Sequence, residues 1–187
     1  MRELSLHILD LLQNSLEAGA NRLELEIIED TRRNLLTITV ADNGRGMDAE
    51  TLRRVCDPFF TTRTTRQVGL GIPLFKAAAQ RCGGDVVITS QPGAGTRVVA
   101  TFQHDHRDRA PLGDLPSTLL SVLLVHPDCE VRYRHRVNER EFAFYTQEIR
   151  QVLGEVSLTH PQVRAWLEDY LRQGYAGLYQ ASEDDQG

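Results

Sequence analysis

The sequence predicts an α+β fold, and three observations carry that prediction. Leu4, Ile8, Leu11 and Leu12 repeat at the i, i+4, i+7, i+8 spacing of a helix with one buried face. Residues 23–27 with 36–40, and 86–90 with 97–102, form runs rich in alternating or β-branched apolar residues around polar or glycine-rich turns, the pattern of two antiparallel hairpins. Between the hairpins, Gly69, Gly71 and Pro73 open a further helix, closed by Gly83 and Gly84. The resulting order of helix, hairpin, helix, helix, hairpin suits helices layered on a largely antiparallel sheet.

Composition narrows the function. A chain of 187 residues holds one large domain or two small ones, and its 41% hydrophobic content is enough for an ordinary core. No apolar run approaches the roughly 18 residues a membrane span requires, so no membrane role is expected. The opening Met-Arg-Glu-Leu-Ser-Leu lacks the order of regions of a signal peptide, which makes a cytoplasmic location the expectation. Net charge is −5, from 21 basic and 26 acidic residues, and gives no general reason to expect nucleic acid. Cys56, Cys82 and Cys129 are odd in number and far apart, with no Cys-x-x-Cys pair, so reduced packing cysteines are expected rather than disulfides or a zinc site.

The first helix is expected over residues 3–18 and ends at Gly19. Asp10, Asn14 and Glu17 lie four and three apart, along one side of it. They read either as a solvated polar face or as a group converging on one ligand. In the second reading Asn14 offers an oxygen to magnesium, a hard cation that keeps several waters while bridging phosphates. Asp10, one turn earlier, could then orient or deprotonate a water.

The strand at 36–40 runs out at Asp42, and the chain turns at Gly44 and Gly46. A carboxylate at a strand end, flanked by glycines that let backbone approach closely, can accept a hydrogen bond from an exocyclic amine such as that of adenine. The same stretch, 41–48, also reads as a plain turn followed by Asp48 as a helix cap. A short helix is expected at 48–55. Residues 57–67 begin with Phe59 and Phe60 and continue as hydroxyl and arginine residues without periodicity. That loop is either a surface connection anchored by its aromatics or a cover over a ligand, with Arg63 and Arg66 placed to meet negative charge. Glycines directly before the helix at 73 leave backbone N–H groups free for an anion. A P-loop is excluded, since no Gly-Lys-Ser or Gly-Lys-Thr occurs and Lys76 is the only lysine. A dinucleotide fingerprint also fails, lacking its third glycine and preceding strand. Thr96 leads the final strand after the turn at 91–95.

In this order, the segments resemble the ATP-binding domain shared by DNA gyrase B, Hsp90, histidine kinases and MutL, the GHKL family. The run Leu-Asp-Leu-Leu-Gln-Asn-Ser-Leu-Glu-Ala-Gly-Ala is similar to its N box, and Asp-Asn-Gly-Arg-Gly-Met at 42–47 to its first glycine box. Asp-Pro-Phe-Phe-Thr-Thr at 57–62 resembles the F box of histidine kinases. Gly69-Leu70-Gly71 and Gly93-Ala94-Gly95-Thr96 resemble the remaining glycine boxes. Four motifs in order are far more specific than any one of them.

The resemblance implies a two-layer α/β sandwich, the Bergerat ATP-binding fold, over residues 1–103, with ATP and Mg2+ as cofactors. It implies Asn14 as the magnesium ligand, Asp10 as the catalytic carboxylate and Asp42 as the residue that binds the adenine amine, supported by Thr96 through a water. Gly44, Gly46 and Met47 would shape the adenine pocket, while Gly69, Leu70 and Gly71 would give backbone contacts to the phosphates. Phe59, Thr61, Thr62 and Arg63 would belong to the nucleotide-contacting loop. Two departures stand out. Hydrolysing members carry a glutamate where this chain has the shorter Asp10. No phospho-accepting histidine precedes the N box, since only nine residues come before Asp10 and His7 lies on the N-box helix itself, which implies a stand-alone ATP module.

Beyond residue 103 the sequence predicts a charged linker at 104–112, a small α+β interaction domain at 113–179 and a disordered tail at 180–187. Helices are expected at 115–125, 147–153 and 161–172, with a hairpin at 131–146. His104 and His106 are expected to face solvent rather than a metal. Arg132, Arg134 and Arg136 make one strand face basic, as a solvated surface, a γ-phosphate contact, or a dock for an acidic partner. The expected partners are ATP or ADP and a regulatory protein, with a homodimer left open; the expected activity is ATP hydrolysis or phosphoryl transfer, a non-catalytic switch, or a serine kinase similar to anti-sigma factors of the family.

Overall fold

Strand β1 (Arg22–Asp30) places Leu23, Leu25 and Ile27 on one face and Glu24, Glu26 and Ile28 on the other, and that alternation decides which side of the sheet is covered. The computed structural model of the protein describes residues 3–55, 57 and 71–180. Strand β2 (Leu35–Asp42) pairs antiparallel with β1, setting Leu25 opposite Val40 and Ile27 opposite Ile38, so both apolar series face the same way. Strand β3 (Val86–Gln91) and strand β4 (Gly95–Gln103) form the second hairpin, and β4 joins the first through β2, with Val98, Ala100 and Phe102 continuing the apolar face.

Four helices cover this face: α1 (Leu4–Glu17), α3 (Gly71–Arg81), α4 (Leu115–Val125) and α6 (Pro161–Gly177). The predicted stripe of α1, Leu4, Ile8, Leu11 and Leu12, is buried, and Phe75 and Ala79 of α3 lie in the same core. Each fully buried Leu, Ile or Phe side chain contributes roughly 1.5–3 kcal/mol relative to exposure. The short helix α2 (Ala49–Arg54) starts where Asp48 accepts the N–H of Thr51 at 2.7 Å, and α5 (Thr146–Leu153) follows the last strand. Cys82 and Cys129 are buried free thiols; Cys56 lies outside the described residues.

The C-terminal third, expected as a linker and a small α+β interaction domain, adds its hairpin to the same sheet. Strand β5 (Glu130–Val137) pairs parallel with β1, and β6 (Arg140–Tyr145) pairs antiparallel with β5. One six-stranded sheet results, ordered β3-β4-β2-β1-β5-β6, and Val131, Tyr133 and Phe144 enter the same apolar core as Leu25 and Ile27. The alternation of Val131, Tyr133 and His135 explains this, because a strand with an apolar face needs an apolar face beside it. The expected tail falls outside the described residues from 181 onward.

The arginine strand resolves to the solvated face. Arg132 pairs with Glu24 at 3.4 Å and Glu130 at 3.0 Å; Arg134 pairs with Glu26 at 3.4 Å and Glu141 at 2.9 Å. These charges lie on the sheet face opposite the helices, away from Asp10 and Asn14 on α1. His104 also departs from expectation: its Nε2 lies 3.1 Å from Oε1 of the buried Glu29. Among the described residues, no group of three or more His, Cys, Asp or Glu side chains could hold a metal, and no helix is long and apolar enough to cross a membrane.

Candidate functional site

Asp42 is the last residue of β2, opposite Leu23, so its carboxylate projects from the helix-covered face where the sheet ends beneath α1. Its Oδ1 accepts the N–H of Gly44 at 2.8 Å and of Thr96 at 3.3 Å. Its Oδ2 accepts Ser15 Oγ, from α1, at 2.6 Å. That hydroxyl also lies 3.1 Å from the carbonyl of Leu11, but its single hydrogen favours the nearer, charged acceptor. A carboxylate offers about four lone-pair directions. Three are taken, and the one left belongs to Oδ2.

The surroundings are kept small by glycine. Gly46 has φ +70° and a Cβ there would stand 1.9 Å from the carbonyl oxygen of Gln91; Gly95 has φ +82° and its Cβ would stand 1.9 Å from that of Asp42. Both positions thus require glycine, and together they clamp the 42–47 loop onto the 91–95 turn. Gly44 is buried, where a Cβ would meet the Ala18 carbonyl at 2.9 Å. The Met47 N–H donates to Ser90 Oγ at 2.8 Å, and Ser90 Oγ lies 2.8 Å from Thr96 Oγ1. Predicted residues Asp42, Gly44, Gly46, Met47 and Thr96 are therefore one cluster.

A second cluster sits along α1. Asp10 and Asn14 are half-buried on the side turned to the start of α3. A side chain at Gly71 would bring its Cβ within 3.7 Å of both Asn14 Nδ2 and Asp10 Cβ. The first N–H groups of α3 have no partners within the helix, and Pro73 has none to offer, so this end of the helix favours negative charge. Burial raises the Asp10 carboxyl above its ordinary value, toward that of a proton acceptor. Neither Asp10 nor the Asn14 amide makes a side-chain hydrogen bond among the described residues. A single amide oxygen beside one carboxylate is a poor cage for a free cation. It fits magnesium that arrives on phosphates with most of its waters. Phe59, Thr61, Thr62, Arg63, Gly69 and Leu70 lie outside the described residues.

Sequence reasoning passed over Ser15, Ser90 and Asn43. Asn43 Oδ1 accepts the N–H of Asn21 at 3.0 Å and of Arg22 at 2.9 Å, pinning the loop to the start of β1. Ser90 was detectable: Val86, Ile88 and Ser90 share one face of β3, and a hydroxyl there interrupts an apolar series. Ser15 carries the same signal on α1, since it follows Ile8 and Leu11 at the i+7 and i+4 positions of the buried stripe.

Residues 2–106 match the family described as histidine kinase-, DNA gyrase B- and HSP90-like ATPase. The sensor protein kinase FleS of Pseudomonas aeruginosa is 42% identical over 89 residues, covering 48% of this chain and 22% of that protein. The histidine protein kinase DivJ of Caulobacter vibrioides is 35% identical over 101 residues, covering 52% of this chain and 17% of that one. The chain thus spans less than a quarter of either relative. A solved structure described as the N-terminal domain of a DNA repair protein has a TM-score of 0.56 at 13% identity, over 97% of this chain and 58% of that chain. The likeness is one of fold, and it takes in the C-terminal third.

Proposed function

The chain belongs to the histidine kinase-, DNA gyrase B- and HSP90-like ATPases, and on that premise we propose that it couples magnesium-dependent ATP hydrolysis or phosphoryl transfer to the control of a protein partner. The observation that carries this reading is the Asp42 carboxylate, with one acceptor left over beside Thr96, on the same side of the sheet as Asp10 and Asn14. Adenine would donate an amine hydrogen to Asp42 Oδ2, and the phosphates would lie toward the N–H groups of α3. Asn14 would hold magnesium by its side-chain oxygen, where the ion would neutralise phosphate charge. Asp10 would orient the attacking oxygen or take its proton. A site of backbone, one amide and one carboxylate suits phosphoryl transfer, which depends mainly on positioning and charge.

The test is calorimetric titration of the full chain with ATP and magnesium, followed by the fate of the γ-phosphate. Asp42→Asn should weaken ATP binding, and an unchanged dissociation constant would remove Asp42 from the base site. Asp10→Asn should keep binding and lose turnover; equal turnover would remove Asp10 from the chemistry.

The shorter arm of Asp10, where hydrolysing members carry glutamate, supports a second reading: a switch that binds ATP and grips or releases its partner without cleaving it. Recovery of intact ATP after long incubation would favour that reading. Label appearing on a co-purified protein would instead favour a kinase acting on serine.

A further inference from the structure

Ser90 has one hydrogen to give and two lone pairs, and three partners surround its Oγ. The N–H of Met47, at 2.8 Å, can only donate. The carbonyl of Gly95, at 3.0 Å, can only accept. Thr96 Oγ1, at 2.8 Å, could do either. One assignment satisfies all three contacts: Ser90 donates to Gly95 and accepts from both Met47 and Thr96. The Thr96 hydrogen is then engaged at Ser90, and the Thr96 hydroxyl has only lone pairs left to offer in the neighbourhood of Asp42, whose Oδ1 accepts the Thr96 backbone N–H at 3.3 Å.

We infer that Ser90 is a positioning residue for base selection: by holding the Thr96 hydroxyl as an acceptor beside the Asp42 carboxylate, it makes the site select a purine bearing an exocyclic amine over one bearing a carbonyl. The inference rests on the adenine reading of Asp42 given above. An amine has two hydrogens, one for the free lone pair of Asp42 and one for a direct contact with the Thr96 hydroxyl. A 6-keto purine would face acceptors at both places and leave its own oxygen unpaired, the situation sites reject most strongly. Ser90 touches neither base nor phosphate in this scheme. It acts through Thr96.

The experiment compares ATP and ITP, which differ in that amine, by calorimetry on the full chain. Wild type is expected to prefer ATP. In Ser90→Ala the Thr96 hydroxyl is free to turn and donate to the keto oxygen, and the ATP-to-ITP preference should narrow about tenfold. Ser90→Thr should restore it. In a Thr96→Val background, Ser90→Ala should change the preference no further, because the group it orients is gone. A merely structural role would weaken both nucleotides alike, so an unmoved ratio in Ser90→Ala overturns the inference. Should Ser90→Ala lose its native circular dichroism spectrum, Ser90→Cys, with a weaker donor in the same space, must narrow the ratio partway; a wild-type ratio there overturns the inference equally. Failure of wild type to bind either nucleotide would instead overturn the adenine reading of the site, whereas loss of ATP binding in Asp42→Asn with an unchanged ratio in Ser90→Ala would leave that reading standing alone.

Discussion

Two carboxylates stand toward opposite ends of the same sheet face, and each receives three hydrogen bonds. Asp42 takes two backbone N–H groups and the hydroxyl of Ser15, all neutral and small, with Gly44 and Gly95 beside it. Glu29, which continues the series Leu23, Leu25 and Ile27, takes His135 at 2.8 Å, His104 at 3.1 Å and the hydroxyl of Tyr179. Those partners are rings, two of them able to carry positive charge, and they leave Glu29 4% exposed. The count of donors is the same, but the consequence is opposite. Neutral donors and missing side chains leave Asp42 a charge and a space to offer, whereas rings close over Glu29 and turn it into an internal tie. That tie joins β1 to the exit of β4, to β5 and to the residues after α6, so it holds the C-terminal third to the nucleotide-binding segment.

The largest expected effect is on the tie. Glu29→Ala removes the shared partner of His135 Nε2, His104 Nε2 and the Tyr179 hydroxyl in a buried place, and should cost about 3 kcal/mol or more in urea denaturation, roughly 1–3 kcal/mol for each buried group left unpaired. ATP affinity of the remaining folded protein should be unchanged. A stability near wild type would mean that Glu29 is not the closed member of the pair.

Next is the pH dependence, which separates this end from α1. Burial pushes the Glu29 carboxyl up, but the hydrogen bonds from His135, Tyr179 and His104 outweigh it and bring it down to about 2. Its contribution is whole above its ordinary value near 4.5 and drains as pH falls from there toward 2. His7, stacked on Phe75 with ring centroids 5.1 Å apart, is lowered from 6.5 to about 4 by burial, aided by the positive charges of the N-terminus and Arg81. Its Nδ1 is buried with no hydrogen-bond partner among the described residues. Between those two values the unfolded chain binds the proton more readily, so stability should fall by roughly 3 kcal/mol as pH drops from 6.5 to 4. His7→Leu should flatten that interval and leave the loss below 4.5; an unchanged slope would assign the interval to other groups.

A smaller effect belongs to the open member. Asp42→Asn replaces an ionised acceptor by a neutral amide, and ATP affinity should drop by about 1.5–3 kcal/mol, the usual range for a hydrogen bond to charge. Its melting temperature should fall less than that of Glu29→Ala, and the reverse order in a thermal melt would invert the comparison.

How much of this could be read from the chain depends on whether the signal is local. Leu36, Ile38 and Val40 announce their strand by alternation, and Asp10 and Asn14 announce a shared side by spacing alone, because both patterns repeat within one element. The pairing of β1 with β5 left no such mark. Glu29 and His135 are separated by 106 residues and by a parallel ladder, which no turn encodes. Yet each was visible as an anomaly, a charged or polar residue at the next position of an apolar face, after Ile27 in one strand and after Tyr133 in the other. Ser90 after Ile88 is the same signal at the nucleotide end. Polar residues that interrupt a buried series marked both the site and the tie, while the glycine and carboxylate motif marked only the site.

The smallest expected effect concerns the sheet's outer face, which belongs to neither end. Arg134 is paired with Glu26 and Glu141 by side chains that remain well exposed. Exposed pairs gain little, since water screens the attraction and ordering two long side chains offsets it. Arg134→Ala should therefore move the melting temperature by no more than about 3 °C, and should leave ATP affinity within about twofold of wild type, a difference of under half a kcal/mol. A larger loss of ATP affinity would bring the arginine strand back as a phosphate contact, reached from another copy of the chain because this copy's strand faces away from α1.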